Sequence, residues 1–399
     1  MNRTLLILAC SLCAQVTHAE DLMFVNAKIN DKRVRLSVDT GTSVGLILFR
    51  STAERLNLGL HRTDSTILGD VQYWLTDECN VKLPWAFWSS VAPPKGSVIA
   101  IDFPSAENAK NIDGIVGWPA FSERIFELDA TRMKFKFLPK VPSDVIGWTR
   151  LTLSTNWAML ALELPQLQGS AQIIIVDSGS ALGVELPSRQ WLEWKALHTN
   201  QPTTLSATYS PNYGSFVAHK VWAKEFVIGP LELTEVGVQD SGDKFPGFAA
   251  TFGLAALKRL NLIVDGKQRI AYLRPKKAPG PRPSPEGGSH ELIFMPRSAK
   301  NNELVAHVAN PSSAFAAGIR DGDALLKIGE RDVVTWRAAP GKEWHRDDPA
   351  GPLLTPVTTG RVGRKIELTL QKNEGTMRAL IAPEEIAIFA MLTNWPSKK

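Results

Sequence analysis

The chain has 399 residues, 44% of them apolar, which is ample for two or three domains with real cores and unlike a disordered segment. Its 45 basic and 40 acidic residues leave a formal charge of +5 with no long basic run, so a nucleic-acid partner is not expected.

Residues 1–19 read as a cleavable signal peptide: Arg3 is followed by the apolar stretch LLILACSLCA and by the small-residue exit Thr17-His18-Ala19 before Glu20. The expectation is export to the periplasm or beyond the cell. Cys10 and Cys13 fall inside that segment, so the mature chain keeps only Cys79 and no intramolecular disulfide is expected. No later apolar run approaches the roughly 20 residues of a membrane span, and no transmembrane segment is expected once the signal is removed.

From residue 20 to 140, runs such as RVRLSV, GLILF and MKFKFL predict strands of a mainly β lobe. STAERLNLG predicts a short helix with Ser51 as cap, Glu54 three residues on and Gly59 as its stop. A hairpin is expected near Leu68-Gly69-Asp70-Val71, because glycine at a tip admits the positive φ of tight turns. Residues 141–274 predict a second β lobe whose helix, SRQWLEWKAL, takes Ser188 as cap, and whose hairpin tip falls in Tyr209-Ser210-Pro211-Asn212-Tyr213-Gly214. Residues 275–289, rich in Pro, Gly and charge, read as a linker; 290–385 predict a further domain and 386–399 a tail.

The two lobes look like copies of one another. VRLSVDTGTSVGLIL aligns with AQIIIVDSGSALGVEL on Asp39 and Asp177, setting Gly45 over Gly183 and Leu48 over Leu186. Further on, GWPAFSERIFELDATRMKFKFL runs parallel to GLAALKRLNLIVDGKQRIAYL, with Asp129 over Asp265. The interval from Asp39 to Gly117 nearly equals that from Asp177 to Gly253.

These residues resemble the aspartic peptidases, in which each lobe carries a D-[ST]-G turn and, later, two apolar residues before a glycine, here Ile115-Val116-Gly117 and, less typically because Thr251 is polar, Thr251-Phe252-Gly253. The lobes are similar in style to bacterial retropepsin-like domains, and their fusion resembles the bilobal pepsin arrangement over residues 24 to 274. The resemblance implies a mainly β fold of two duplicated retropepsin-like lobes forming one pepsin-like unit. It assigns catalysis to Asp39 and Asp177, and support of the dyad to Thr40, Gly41, Thr42, Ser178, Gly179 and Ser180. It also makes the two hairpins flaps over an extended polypeptide substrate, with Leu68, Gly69, Asp70, Tyr73, Tyr209 and Tyr213 as substrate-binding candidates and Trp74, Trp85 and Trp88 as possible subsite walls. Beyond the linker, NPSSAFAAGIRDGDALLKIGERDV resembles the centre of a PDZ domain, with a short helix ending at Gly318, a turn at Asp321-Gly322-Asp323 and a strand through Leu325, Leu326 and Ile328. That α+β domain implies a peptide or protein ligand held by strand addition, next to a degenerate carboxylate-binding stretch at Gly288–Phe294.

Two adjacent carboxylates cannot both ionise easily, so such a pair shares one proton and can activate a water against a peptide carbonyl. The hydroxyls of Thr42 and Ser180 beside the carboxylates favour the charged form, and the expectation is an acid-shifted optimum. No metal-binding His/Cys constellation, nucleophile elbow or phosphate loop is visible, and neither metal nor cofactor is expected. The alternative function is a non-catalytic envelope adaptor or sensor that grips peptides with the same fold.

Overall fold

The computed structural model describes residues 23–67, 71–84, 95–96, 98–101, 112–165, 172–210, 214–242, 247–276, 290–298, 301–334, 354–355, 365–382 and 386–389. The signal, most of the linker and both hairpin tips therefore lie outside the described residues, as do Leu68, Gly69, Asp70, Tyr213, Trp85 and Trp88. The fold is mainly β.

The first sheet holds β1 (Phe24–Ile29), β2 (Lys32–Asp39), β3 (Leu46–Phe49), β4 (Leu60–Ile67), β5 (Val71–Thr76), β6 (Cys79–Lys82), β7 (Lys95–Gly96), β8 (Ile99–Ile101) and β9 (Gly114–Gly117), in the order β4-β5-β8-β3-β9-β2-β1-β6-β7. β9 lies between β2, to which it is parallel, and β3, to which it is antiparallel; β3 in turn runs parallel to β8. β4 and β5 pair antiparallel up to Ile67 opposite Val71, so the expected hairpin is present.

Helix α1 (Arg50–Arg55) follows β3 without a break, which is why Phe49 rather than Ser51 stands at its N-cap and no side chain caps it. Its exit turn uses Asn57, at φ 58°, in place of Gly59. Gly59 has another role: a Cβ there would fall 2.1 Å from the Asp77 carboxylate.

The second sheet holds β10 (Ile125–Asp129), β11 (Lys134–Phe137), β12 (Thr149–Leu153), β13 (Ala161–Leu164), β14 (Gln172–Val176), β15 (Val184–Leu186), β16 (Thr203–Ser210), β17 (Gly214–Ile228), β18 (Leu231–Asp240), β19 (Ala250–Phe252), β20 (Leu260–Asp265) and β21 (Ile270–Pro275). Its order is β11-β10-β20-β21-β12-β13-β14-β19-β15-β18-β17-β16. Within it β14, β19, β15 and β18 repeat the directions of β2, β9, β3 and β8: parallel, antiparallel, parallel. Alternation in β10 turns Phe126 and Leu128 inward, where Phe126 meets Phe121 edge to face at 5.5 Å. Helix α2 (Ser188–Leu197) forms over the expected residues, but Ser188 is its first helical residue rather than its cap: Trp191 N–H donates to the Pro187 carbonyl, and the Ser188 hydroxyl donates to Asp240 Oδ1 at 3.1 Å.

A third sheet holds β22 (Leu292–Ser298), β23 (Asn301–Val308), β24 (Ala324–Ile328), β25 (Arg331–Asp332), β26 (Leu354–Thr355), β27 (Ile366–Lys372), β28 (Gly375–Ile381) and β29 (Ile386–Phe389). The turn Ser312 Oγ accepts from Phe315 N–H and starts helix α4 (Ser313–Ala316), after the four-residue α3 (Leu254–Leu257) of the second sheet; Gly318 follows at φ 90°. Residues 386–389, expected in a tail, instead pair in parallel with Leu292–Phe294, because Ile386 and Ile388 alternate into the core of this sheet.

Two compact units emerge. One comprises residues 1–197, 210–214 and 222–282, and the other 198–209, 215–221 and 283–399. In the second unit β22 is two-faced. Leu292 and Phe294 enter the sheet core, whereas Ile293 and Met295 pack with Leu205, Ala309 and Val217. Leu205 and His290 exchange both backbone hydrogen bonds, at 2.8 and 3.0 Å.

Candidate active site

Both D-[ST]-G turns lie in the first unit, each at the end of a buried strand. Asp39 and Asp177 are 1% and 2% exposed. The turns are tied to each other by a reciprocal set of bonds. Thr40 Oγ1 donates to the Val176 carbonyl (2.7 Å) and accepts from Ser178 N–H (3.0 Å), while Ser178 Oγ donates to the Val38 carbonyl (2.8 Å) and accepts from Thr40 N–H (3.1 Å).

The glycines explain how the carboxylates come together. A Cβ on Gly41 would stand 2.5 Å from Asp177 Cγ, and one on Gly179 would stand 2.5 Å from Asp39 Cγ. Each carboxylate thus packs against the other turn's glycine, and any side chain there would evict it. The same glycines donate backbone N–H bonds to their own aspartates, Gly41 to Asp39 Oδ1 and Gly179 to Asp177 Oδ1, both at 2.9 Å. Thr42 Oγ1 donates to Asp39 Oδ2 at 2.6 Å. Ser180 contributes its N–H to Asp177 Oδ1 (3.2 Å), and its hydroxyl accepts from Leu182 N–H.

Asp39 is hydrogen-bonded to Asp177, and burial, the strongest influence on it, holds its carboxyl above the ordinary range. The bonds from Thr42, from Asp177 and from the Gly41 and Thr42 backbone pull the other way and are outweighed. At Asp39 this reverses the sequence-based expectation that neighbouring hydroxyls would hold the pair low. Desolvation by tertiary cover is the missing cause.

The remaining candidates separate. Tyr73 on β5 packs with Ile47, Ile101 and Ile115, whereas its neighbour Trp74 lies under the Arg50 guanidinium, 4.6 Å from the ring centre. Tyr209 falls in β16. Among the described residues no group of three or more His, Cys, Asp or Glu is placed to hold a metal ion.

Two buried polar residues escaped the sequence reading, Glu185 and Gln239; the third, Thr251, stood out there as the polar residue of Thr251-Phe252-Gly253. The signal was available, since aligning the two halves sets Glu185 against Ile47. No protein-family model matches the chain, and no curated protein matches it.

Proposed function

We propose that the protein is an exported aspartic endopeptidase built from two duplicated retropepsin-like lobes, with Asp39 and Asp177 as its catalytic pair, and that its C-terminal unit is a PDZ domain for substrate or partner recognition. The observation that carries this reading is the reciprocal Thr40–Ser178 network, which ties the two turns together so that each buried carboxyl packs against the glycine of the other. Matching strand directions around both aspartates support the duplication.

Chemistry follows from one proton held by two carboxyls. The ionised member takes a proton from a water as its oxygen attacks the peptide carbonyl. The protonated member donates to the developing oxyanion, and proton return to the nitrogen releases the amine. The raised Asp39 helps retain the shared proton towards neutral pH, so activity extends above the strongly acidic range. In the C-terminal unit Leu292–Phe294 are paired on both sides, by β23 and β29, so a peptide adding beside them requires β29 to leave. A bound substrate would there be concentrated near the catalytic unit.

Incubating the protein from residue 20 onward with an unfolded protein between pH 3 and 8 tests the proposal. Cleavage is expected for wild type and absent for Asp39→Asn and Asp177→Asn. Wild-type inactivity at every pH rejects it.

A further inference from the structure

The faces of the strands extend the site beyond the two aspartates. Side chains alternate along a strand, and paired residues on neighbouring strands share a face. Ser37 therefore lies on the Asp39 side of β2. Its parallel partner Ile115 joins it, followed by Ile47, opposite Ile115, and Ile99, opposite Ile47. The same steps in the other lobe run from Ile175, on the Asp177 side of β14, to Thr251, then Glu185, then Gln239. From the strand of one aspartate the shared face thus steps outward through Ile115, Ile47 and Ile99, and from the strand of the other, in equivalent places, through Thr251, Glu185 and Gln239.

That substitution of three isoleucines by three polar residues is costly inside a protein. Glu185, Gln239 and Thr251 are 5%, 1% and 6% exposed, and neither the nitrogen nor the oxygen of the Gln239 amide has a hydrogen-bond partner. Leaving a buried amide unsatisfied costs its full desolvation penalty, and native structures rarely tolerate it without a purpose. Packing does not require it, because the other lobe fills the matching positions with isoleucine. Nor does the burial disqualify the place as a binding site. Asp39 and Asp177, which lie on the same sheet faces, are buried to the same degree.

We infer that Glu185, Gln239 and Thr251 form a subsite beside Asp177 for a lysine or arginine side chain of the substrate. A carboxylate, an amide oxygen and a hydroxyl offer three acceptors, which suit an ammonium with three donors or a guanidinium with five. The matching face beside Asp39, with Tyr73 in its cluster, takes an apolar side chain. The inference rests on the peptidase reading for the direction of the substrate, but its test does not need turnover.

The probe is an extended alanine-rich peptide with one amide reduced to a non-cleavable methyleneamine, carrying either lysine or norleucine at each residue flanking that bond. Calorimetry should give at least tenfold tighter binding for lysine over norleucine at one of the two positions. That ratio should collapse towards one in Glu185→Gln and in Gln239→Leu. Equal affinity for the two peptides in wild type, or no binding of either, overturns the subsite. A lysine preference that survives in both variants also overturns it, because the selectivity then originates elsewhere. If lysine-selective binding is found in a protein that cleaves nothing, the peptidase reading fails and the subsite stands.

Discussion

Replacing Thr40 by valine keeps the shape of the side chain and deletes one hydroxyl that is fully buried. That hydroxyl serves two groups of the opposite turn, the Ser178 N–H and the Val176 carbonyl. Stripping a buried polar group of its partner costs about 1–3 kcal/mol, so two such groups predict a loss of about 2–6 kcal/mol. For a unit of this size each kcal/mol lowers Tm by about 2–4 °C, which places the melting point roughly 4–24 °C below wild type. Thr40→Ser retains the hydroxyl and should recover most of the loss. The double variant Thr40→Val/Ser178→Ala should lose less than the sum of the single losses, because both residues belong to one network. Differential scanning calorimetry at constant pH measures wild type, the single variants Thr40→Val, Thr40→Ser and Ser178→Ala, and the double variant. A Thr40→Val melting point within 2 °C of wild type would falsify the claim that this network holds the turns together.

Gly179→Ala should cost about 1–3 kcal/mol by overpacking and remove activity, since its new methyl would meet all three carboxylate atoms of Asp39 within 3 Å; normal activity in a folded variant contradicts that close approach. For Asp39 the linkage has a definite sign. A carboxyl held above its unfolded value contributes stability in acid, below about pH 4, that is lost as pH rises through the folded value. Asp39→Asn should therefore melt higher than wild type at pH 7, with the gap closing towards pH 4, and a pH-independent gap speaks against burial as the cause. Phe294→Ala, at a fully buried position, should cost the C-terminal unit about 3–5 kcal/mol and speed hydrogen exchange of the β23 amides. Unchanged exchange there removes Phe294 from the core.

What was legible in the chain before its structure was local. The D-[ST]-G turns, the strands that lead into them and the presence of α2 all follow from patterns within a dozen residues. The Ser51 cap failed because α1 grows directly out of β3, a tertiary continuity that cap rules do not include. Asn57 took the left-handed exit that Gly59 was expected to supply, as asparagine tolerates that conformation. The direction of the Asp39 shift depends on what covers it, and the cover comes from residues far away in sequence. Strand β29 is four residues long, too short for alternation to mark it apart from a tail. Glu185 was visible as an odd member of an aligned pair. Its meaning emerged only when the strand register set it beside Gln239.

The strands β10 and β11 precede residue 140, yet they complete the sheet of the residues that follow, with Ile125–Leu128 paired to Leu262–Asp265. The connection between β11 and β12 runs through exposed positions, among them Ile146 and Gly147. A single nick in that connection leaves two polypeptides that are still laced into one sheet. Separately expressed pieces should accordingly reconstitute by fragment complementation, and the covalent joint there serves assembly more than cohesion.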